Sequence, residues 1–156
     1  MNNTHDVPAA LVDELVQAFE QLQPQDIARL GDWYADDARF KDPFKNVQGI
    51  AEIQAVFEHM FDSLYQPRFV VTSRLVQGNQ CFLVWDFLFR FKTMQRDVDQ
   101  CIHGGSHLVF ALNPQGEWRV QSHRDYWDAA QELYEKLPLV GRLMRWLKKQ
   151  VNRPSR

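Results

Sequence analysis

At 156 residues, 45% hydrophobic and 13% aromatic, the chain is the size of a single domain and carries enough apolar side chain for a core and the lining of a cavity. A domain of this length buries roughly 70% of its unfolded surface, so neither metal nor disulfide is needed to hold it together. The net charge of −2 excludes a chain that is basic throughout and binds nucleic acid along its length, but it divides into −7 over residues 1–129 and +5 over residues 130–156.

The opening residues lack a basic stretch followed by an apolar one, and no run reaches eighteen apolar residues, so a cytoplasmic location without a membrane span is expected. Pro8 suits a first helical turn, and Leu11, Leu15, Phe19 and Leu22 recur at helical spacing, which predicts a helix over 8–22. A second helix is predicted over 26–35, with Ile27, Leu30, Trp33 and Tyr34 facing inward. Asp36 and Asp37 mark a turn, and Arg39 to Asp42 form a short strand that Pro43 ends, having no backbone donor. Past Gly49 a third helix is expected over 50–64.

From 67 to 126 the pattern is that of four long strands with short turns. "CFLVWDFLFRFK" has apolar groups on both faces and is expected to be covered on both. Cys81 and Cys101 lie in such runs and read as buried thiols; two cysteines make neither a secreted disulfide scaffold nor a four-cysteine zinc site. Gly104 and Gly105 within the third strand predict a bulge or sharp bend. Strands preceded and followed by helices give the class α+β: a strongly curved sheet around the N-terminal helices, with a deep, apolar, cone-like cavity.

Beyond Pro138, "LVGRLMRWLKKQV" reads as an amphipathic helix studded with Arg142, Arg145, Lys148 and Lys149. The division expected is a domain over 1–136 and a basic C-terminal helix over 137–156, which docks on the domain or a partner subunit or makes peripheral contact with an anionic membrane. No nucleic-acid partner is expected.

Five polar positions stand out. Asp42, among Phe40, Pro43 and Phe44, is either a desolvated carboxylate suited to act as a base or the cap of a turn. His123 and Asp125 share a strand face, so either the carboxylate orients the imidazole, with Tyr126 beside them able to donate its hydroxyl to an oxyanion, or the strand simply ends in an Arg–Asp ion pair with Trp127 in the core. His107 interrupts an apolar run, as a core histidine or a pocket donor. Strand alternation puts His103, Gly105 and His107 on one face and Ile102, Gly104, Ser106, Leu108 and Phe110 on the other. No spacing marks a metal site, and no glycine-rich phosphate loop follows a strand, so no metal and no cofactor are expected.

"LGDWYADDARFKDPFKNVQG", a helix, and the closing strand "GEWRVQSHRDYWD" together resemble the SnoaL-like branch of the NTF2-like superfamily, over about residues 10 to 136. The resemblance implies an NTF2-like cone, its sheet mixed or mostly antiparallel and wrapped around N-terminal helices, with extra C-terminal helices here. By similarity to ketosteroid isomerase, Asp42 in "FKDP" falls where that family keeps its proton-shuttling aspartate. The isomerase's oxyanion-hole tyrosine and aspartate fall at Ala18 or Phe19 and at Ser106, where the chain departs from the pattern. By similarity to limonene-epoxide hydrolase, Asp125 falls at the water-activating aspartate, and the partner arginine and aspartate are replaced near Gly104 and Ser106.

Three functional readings follow. The first is a cofactor-independent isomerase or hydrolase acting on an apolar substrate through Asp42 or Asp125, with His107, His123 or Tyr126 stabilising negative charge. The second is a non-catalytic carrier of a lipid-like or terpenoid ligand, and the third a scaffold that works through its sheet surface. A homodimer is expected, because the sheet has apolar groups on both faces and relatives pair that way.

Overall fold

The computed structural model describes residues 6–93, 95–132, 141–143, 145, 146 and 149. The chain divides into two compact units, Met1–Tyr126 and Trp127–Arg156. In the first, α1 (Ala9–Glu20) leads into a 3-10 helix (Pro24–Asp32), then β1 (Tyr34–Lys41), β2 (Asn46–Gln48), α2 (Ile50–Ser63), β3 (Leu64–Gln77), β4 (Gln80–Phe91), β5 (Gln100–Leu112) and β6 (Trp118–Trp127), whose last residue falls in the second unit. The six strands form one mixed sheet in the order β2-β1-β6-β5-β4-β3, not closed into a barrel. β3, β4 and β5 pair antiparallel in sequence, and β1 enters parallel to β6.

The apolar stripes give the packing. Val12, Leu15, Val16 and Phe19 of α1 and Ile53 and Phe57 of α2 are buried, as are Leu83, Trp85 and Phe89 of β4 and Ile102, Leu108 and Phe110 of β5. Burial repeats every second residue along β4 and β5, so one sheet face belongs to the core and the other is outer. Where β3 changes register against β4, between Val71 and Ser73, the Val71 N–H is left to a side chain: Glu20 at the end of α1 accepts it at 2.8 Å. That bond ties α1 to the irregular point of the strand and leaves no orphaned donor there. Gly49, at φ 98°, precedes α2, and its N–H bonds Ala38 O at 2.8 Å, fixing the helix against β1.

Four expectations change, the first at Cys101, expected as a buried thiol but exposed on the outer face of β5, while Cys81 is buried as expected. Residues 24–32 are 3-10 rather than α-helical, and Tyr34 opens β1 instead of closing a helix. Asp36 and Asp37 lie within β1, where its register against β6 shifts between Tyr34 and Arg39. The glycine pair makes no bulge against β4: the register is continuous from Gln80↔Val109 to Phe89↔Gln100. The glycines instead make room for rings. A Cβ on Gly104 would stand 2.6 Å from the Trp85 indole and 2.9 Å from Tyr126 O, and one on Gly105 2.7 Å from the Phe82 ring. With no bulge, the sequence-based division of β5 into faces holds, with Ser106 in the core and His107 outside.

Of the second unit, a short helix, α3 (Ala129–Glu132), is described, with Asp128 Oδ1 accepting the Gln131 N–H at 3.0 Å. The amphipathic pattern expected over 137–156 lies largely outside the described residues. Among the described residues no helix is long and apolar enough to cross a membrane.

Candidate functional site

β1, β4, β5 and β6 bring five polar side chains into one chain of hydrogen bonds on the core side of the sheet. Trp85 Nε1–H donates to Ser106 Oγ at 2.8 Å, and the Ser106 hydroxyl donates to Asp125 Oδ1 at 2.5 Å. His123 Nε2 lies 2.7 Å from the same Oδ1, and Tyr34 OH lies 2.6 Å from His123 Nδ1. Tyr34, Trp85, Ser106 and His123 are buried; the Asp125 side chain keeps 13% of its surface exposed.

With Asp125 ionised, the donors and acceptors settle on one pattern. An ionised carboxylate only accepts, so His123 Nε2 carries the proton that meets Oδ1. Nδ1 then has a lone pair and accepts the Tyr34 hydroxyl. A doubly protonated imidazole would donate at Nδ1 and leave the buried Tyr34 O–H without an acceptor, because His123 is its one hydrogen-bond partner among the described residues. Burial, and secondarily the charge of Asp125, push the Tyr34 phenol well above its ordinary pKa, which keeps it a donor. The arrangement therefore holds a neutral imidazole and one negative charge. Both donors fall on Oδ1; Oδ2 has no hydrogen-bond partner among the described residues.

Aromatic packing fixes the parts. The His123 ring stacks on Tyr34 (6.0 Å between centroids, 3° between planes) and meets Phe40 edge-on at 4.8 Å and Phe19 at 5.9 Å. Phe40 in turn packs on Phe57 of α2. On the other side the Trp85 indole lies over Gly104 and contacts Phe69, beyond which Phe87, Phe89 and Phe91 continue the series.

Of the residues singled out in the sequence, His123 and Asp125 are brought together, and the others stand apart. Asp42 Oδ1 accepts the N–H groups of Phe44 (2.7 Å) and Lys45 (2.6 Å), capping the turn after β1. His107 lies on the outer face, its Nε2–H donating to Gln80 Oε1 at 2.7 Å. Tyr126 is also outside, 46% exposed, with the Arg124 guanidinium 4.8 Å above its ring. Tyr34, Trp85 and Ser106 are the members that the sequence did not single out for this site. The register supplies a signal for Trp85: it stands opposite Gly104, a large residue facing a vacant position on the same face. Among the described residues no group of three metal-ligating side chains forms. A separate hollow of about 440 Å³, lined by Asp6, Gly78, Asn79, Phe110, Ala111, Leu112 and Trp118, contains none of these side chains.

The family described as "SnoaL-like domain" matches residues 12–121, a span that takes in Tyr34, Trp85 and Ser106 and ends on β6 just before His123. The chain belongs to the SnoaL-like domain family. No curated protein sequence matches it. Among solved structures, this SnoaL-like chain is similar to a candidate SnoaL-like polyketide cyclase from Shewanella putrefaciens CN-32 (19% identity, 86% of this chain and 99% of that one, TM-score 0.65). It is similar to a hypothetical protein of ketosteroid isomerase-like fold from Catenulispora acidiphila DSM 44928, solved with trimethylamine (14% identity, 81% and 92%, TM-score 0.64). A third neighbour is an NTF2-like protein of unknown function from Burkholderia pseudomallei K96243 (16% identity, 84% and 95%, TM-score 0.64). At these identities the likeness establishes the NTF2-like fold, and function rests on the side chains of this chain.

Proposed function

We infer that the protein binds an apolar small molecule beside Asp125 and uses that carboxylate to accept a proton, from the ligand itself as a cofactor-independent isomerase would or from an attacking water as a hydrolase would. One observation carries the reading: Ser106 and His123 both reach Oδ1, and Oδ2, without a partner among the described residues, is the oxygen available to a ligand. Trp85 and Tyr34 fix the two donors from behind, so the carboxylate is oriented before any ligand arrives, which is where a positioned base gains its rate. The surrounding rings supply apolar contact and keep water scarce.

Exchange of the α-protons of an apolar ketone such as 2-tetralone for deuterium, followed by NMR, tests it. Asp125→Asn is expected to lower the protein-dependent rate about 10²-fold or more; exchange at the parent rate in the folded variant contradicts the proposal. A carrier without catalysis is the second reading, favoured because among the described residues no second carboxylate joins Asp125 and the buried polar residues are Gln100, Ser106 and His123. Binding without exchange, in parent and variant alike, selects it.

The homodimer belongs here too. The outer face carries Leu75 at 71% exposure and Tyr126 beside the half-buried Phe82, Val84 and Leu88. A second copy covering that face would leave the Asp125 side free.

A further inference from the structure

We propose that the ligand taken up at Asp125 carries a protonated amine on an apolar body, and that an N–H of this ammonium group donates to Asp125 Oδ2. The inference rests on the reading of Oδ2 as the ligand-facing oxygen and adds the chemical class of what it meets.

The charges at the site do not balance. With Asp125 as the carboxylate that takes Ser106 and His123 on one oxygen, and Tyr34 donating to His123 Nδ1, the imidazole is neutral and the site carries one negative charge. Trp85, Ser106 and Tyr34 bring dipoles and no charge. No Lys or Arg pairs with Asp125 among the described residues, and none is buried; every buried polar side chain described is an amide, a hydroxyl or this imidazole. Among the described residues the elements around the site offer no other compensation: α1 presents Phe19, β1 presents Tyr34 and Phe40, α2 presents Phe57, β4 presents Trp85. Glu20, the carboxylate at the end of α1, is engaged by the Val71 N–H. The field of the uncompensated charge is felt in the core, where it helps to raise the Tyr34 phenol.

A largely buried carboxylate without a counter-ion is costly, and a cation brought by the ligand removes that cost while a second anion increases it. The rings on either side favour the same partner, because an ammonium group is attracted to aromatic faces and its alkyl substituents pack on them. A neutral ligand gains the packing alone.

The test uses the full chain and three probes of one skeleton that differ in charge: 4-phenylbutylamine, 4-phenylbutan-1-ol and 4-phenylbutanoate. Affinity and location are read together from ¹H–¹⁵N NMR titrations through the side-chain N–H signals of Trp85 and His123. The ammonium is expected to bind at least about tenfold more tightly than the alcohol, with the carboxylate weakest. In Asp125→Asn that preference is expected to fall to within about twofold, and in Asp86→Asn, on the outer face, to persist. Equal affinity of amine and alcohol in the parent overturns the inference whether or not any variant folds, and so does a preference that survives in Asp125→Asn. If amine and alcohol bind equally and both perturb Trp85 and His123, the proton-accepting role of Asp125 stands without the ammonium. If none of the three perturbs those signals, both fall.

Discussion

The sheet carries two aspartate–histidine pairs of nearly the same length on opposite faces, and they are different chemical objects. Asp86 and His103, on neighbouring strands, meet at 2.8 Å on the outer face with side chains 37% and 66% exposed. Asp125 and His123, two residues apart on β6, meet at 2.7 Å on the core face with side chains 13% and 6% exposed. Outside, water solvates both partners and screens the pair, which contributes a few tenths of a kcal/mol to about 1. Inside, Tyr34 OH reaches His123 Nδ1, Ser106 donates to the carboxylate, and the rings of Tyr34, Phe40 and Phe19 pack against the imidazole. The two pairs differ in their surroundings far more than in their length.

The largest effect should separate the two aspartates in catalysis. Asp125→Asn is expected to abolish most of the ketone exchange, whereas Asp86→Asn should leave it within about twofold. Equal losses would dissolve the distinction between the faces. The two cysteines sharpen it next. Cys81 is buried on the core side and burial raises its thiol from 9.0 to about 11, whereas Cys101 is exposed. With a disulfide reagent near pH 8, Cys101 should react first and Cys81 about 10²-fold more slowly or only on unfolding; comparable rates would show a core open to solvent.

How far these contrasts could be foreseen depends on what each residue's role needs. The faces of β5 and β6 follow from alternation, so Ser106 against His107, and the shared face of His123 and Asp125, were legible. Trp85 carries no such mark in the sequence, because its indole reaches Ser106 across the strand pair and only the register sets Trp85 opposite Gly104. Tyr34 was placed at the end of a helix because the inward pattern of 27–34 suits a helix; that pattern does not say that the chain turns into β1 at Tyr34, whose ring then lies on His123, 89 residues away. Asp42 sat in the setting of a pocket carboxylate, yet the turn after Lys41 has two backbone N–H groups to satisfy, and its side chain is the nearest acceptor.

Stability gives the next contrast. Tyr34→Phe leaves His123 Nδ1 buried without its donor and should cost about 1–3 kcal/mol in chemical denaturation. His103→Ala should stay within about 0.5 kcal/mol. The smallest effect is one of pH. The folded-state pKa of Tyr34 lies above its unfolded value of 10.0, so the folded chain holds a proton that the unfolded chain loses. Its contribution is complete below about pH 10 and declines above it, towards the folded value. The parent should therefore lose stability above that pH more steeply than Tyr34→Phe; parallel curves would mean that the phenol ionises freely in the fold.

The state of the His123 ring underlies all of this, and ¹⁵N NMR of the imidazole at neutral pH reads it directly. The account predicts one fixed neutral tautomer, protonated at Nε2 towards Asp125 and unprotonated at Nδ1 beneath the Tyr34 hydroxyl. A ring protonated at Nδ1, doubly protonated, or exchanging between tautomers would contradict it.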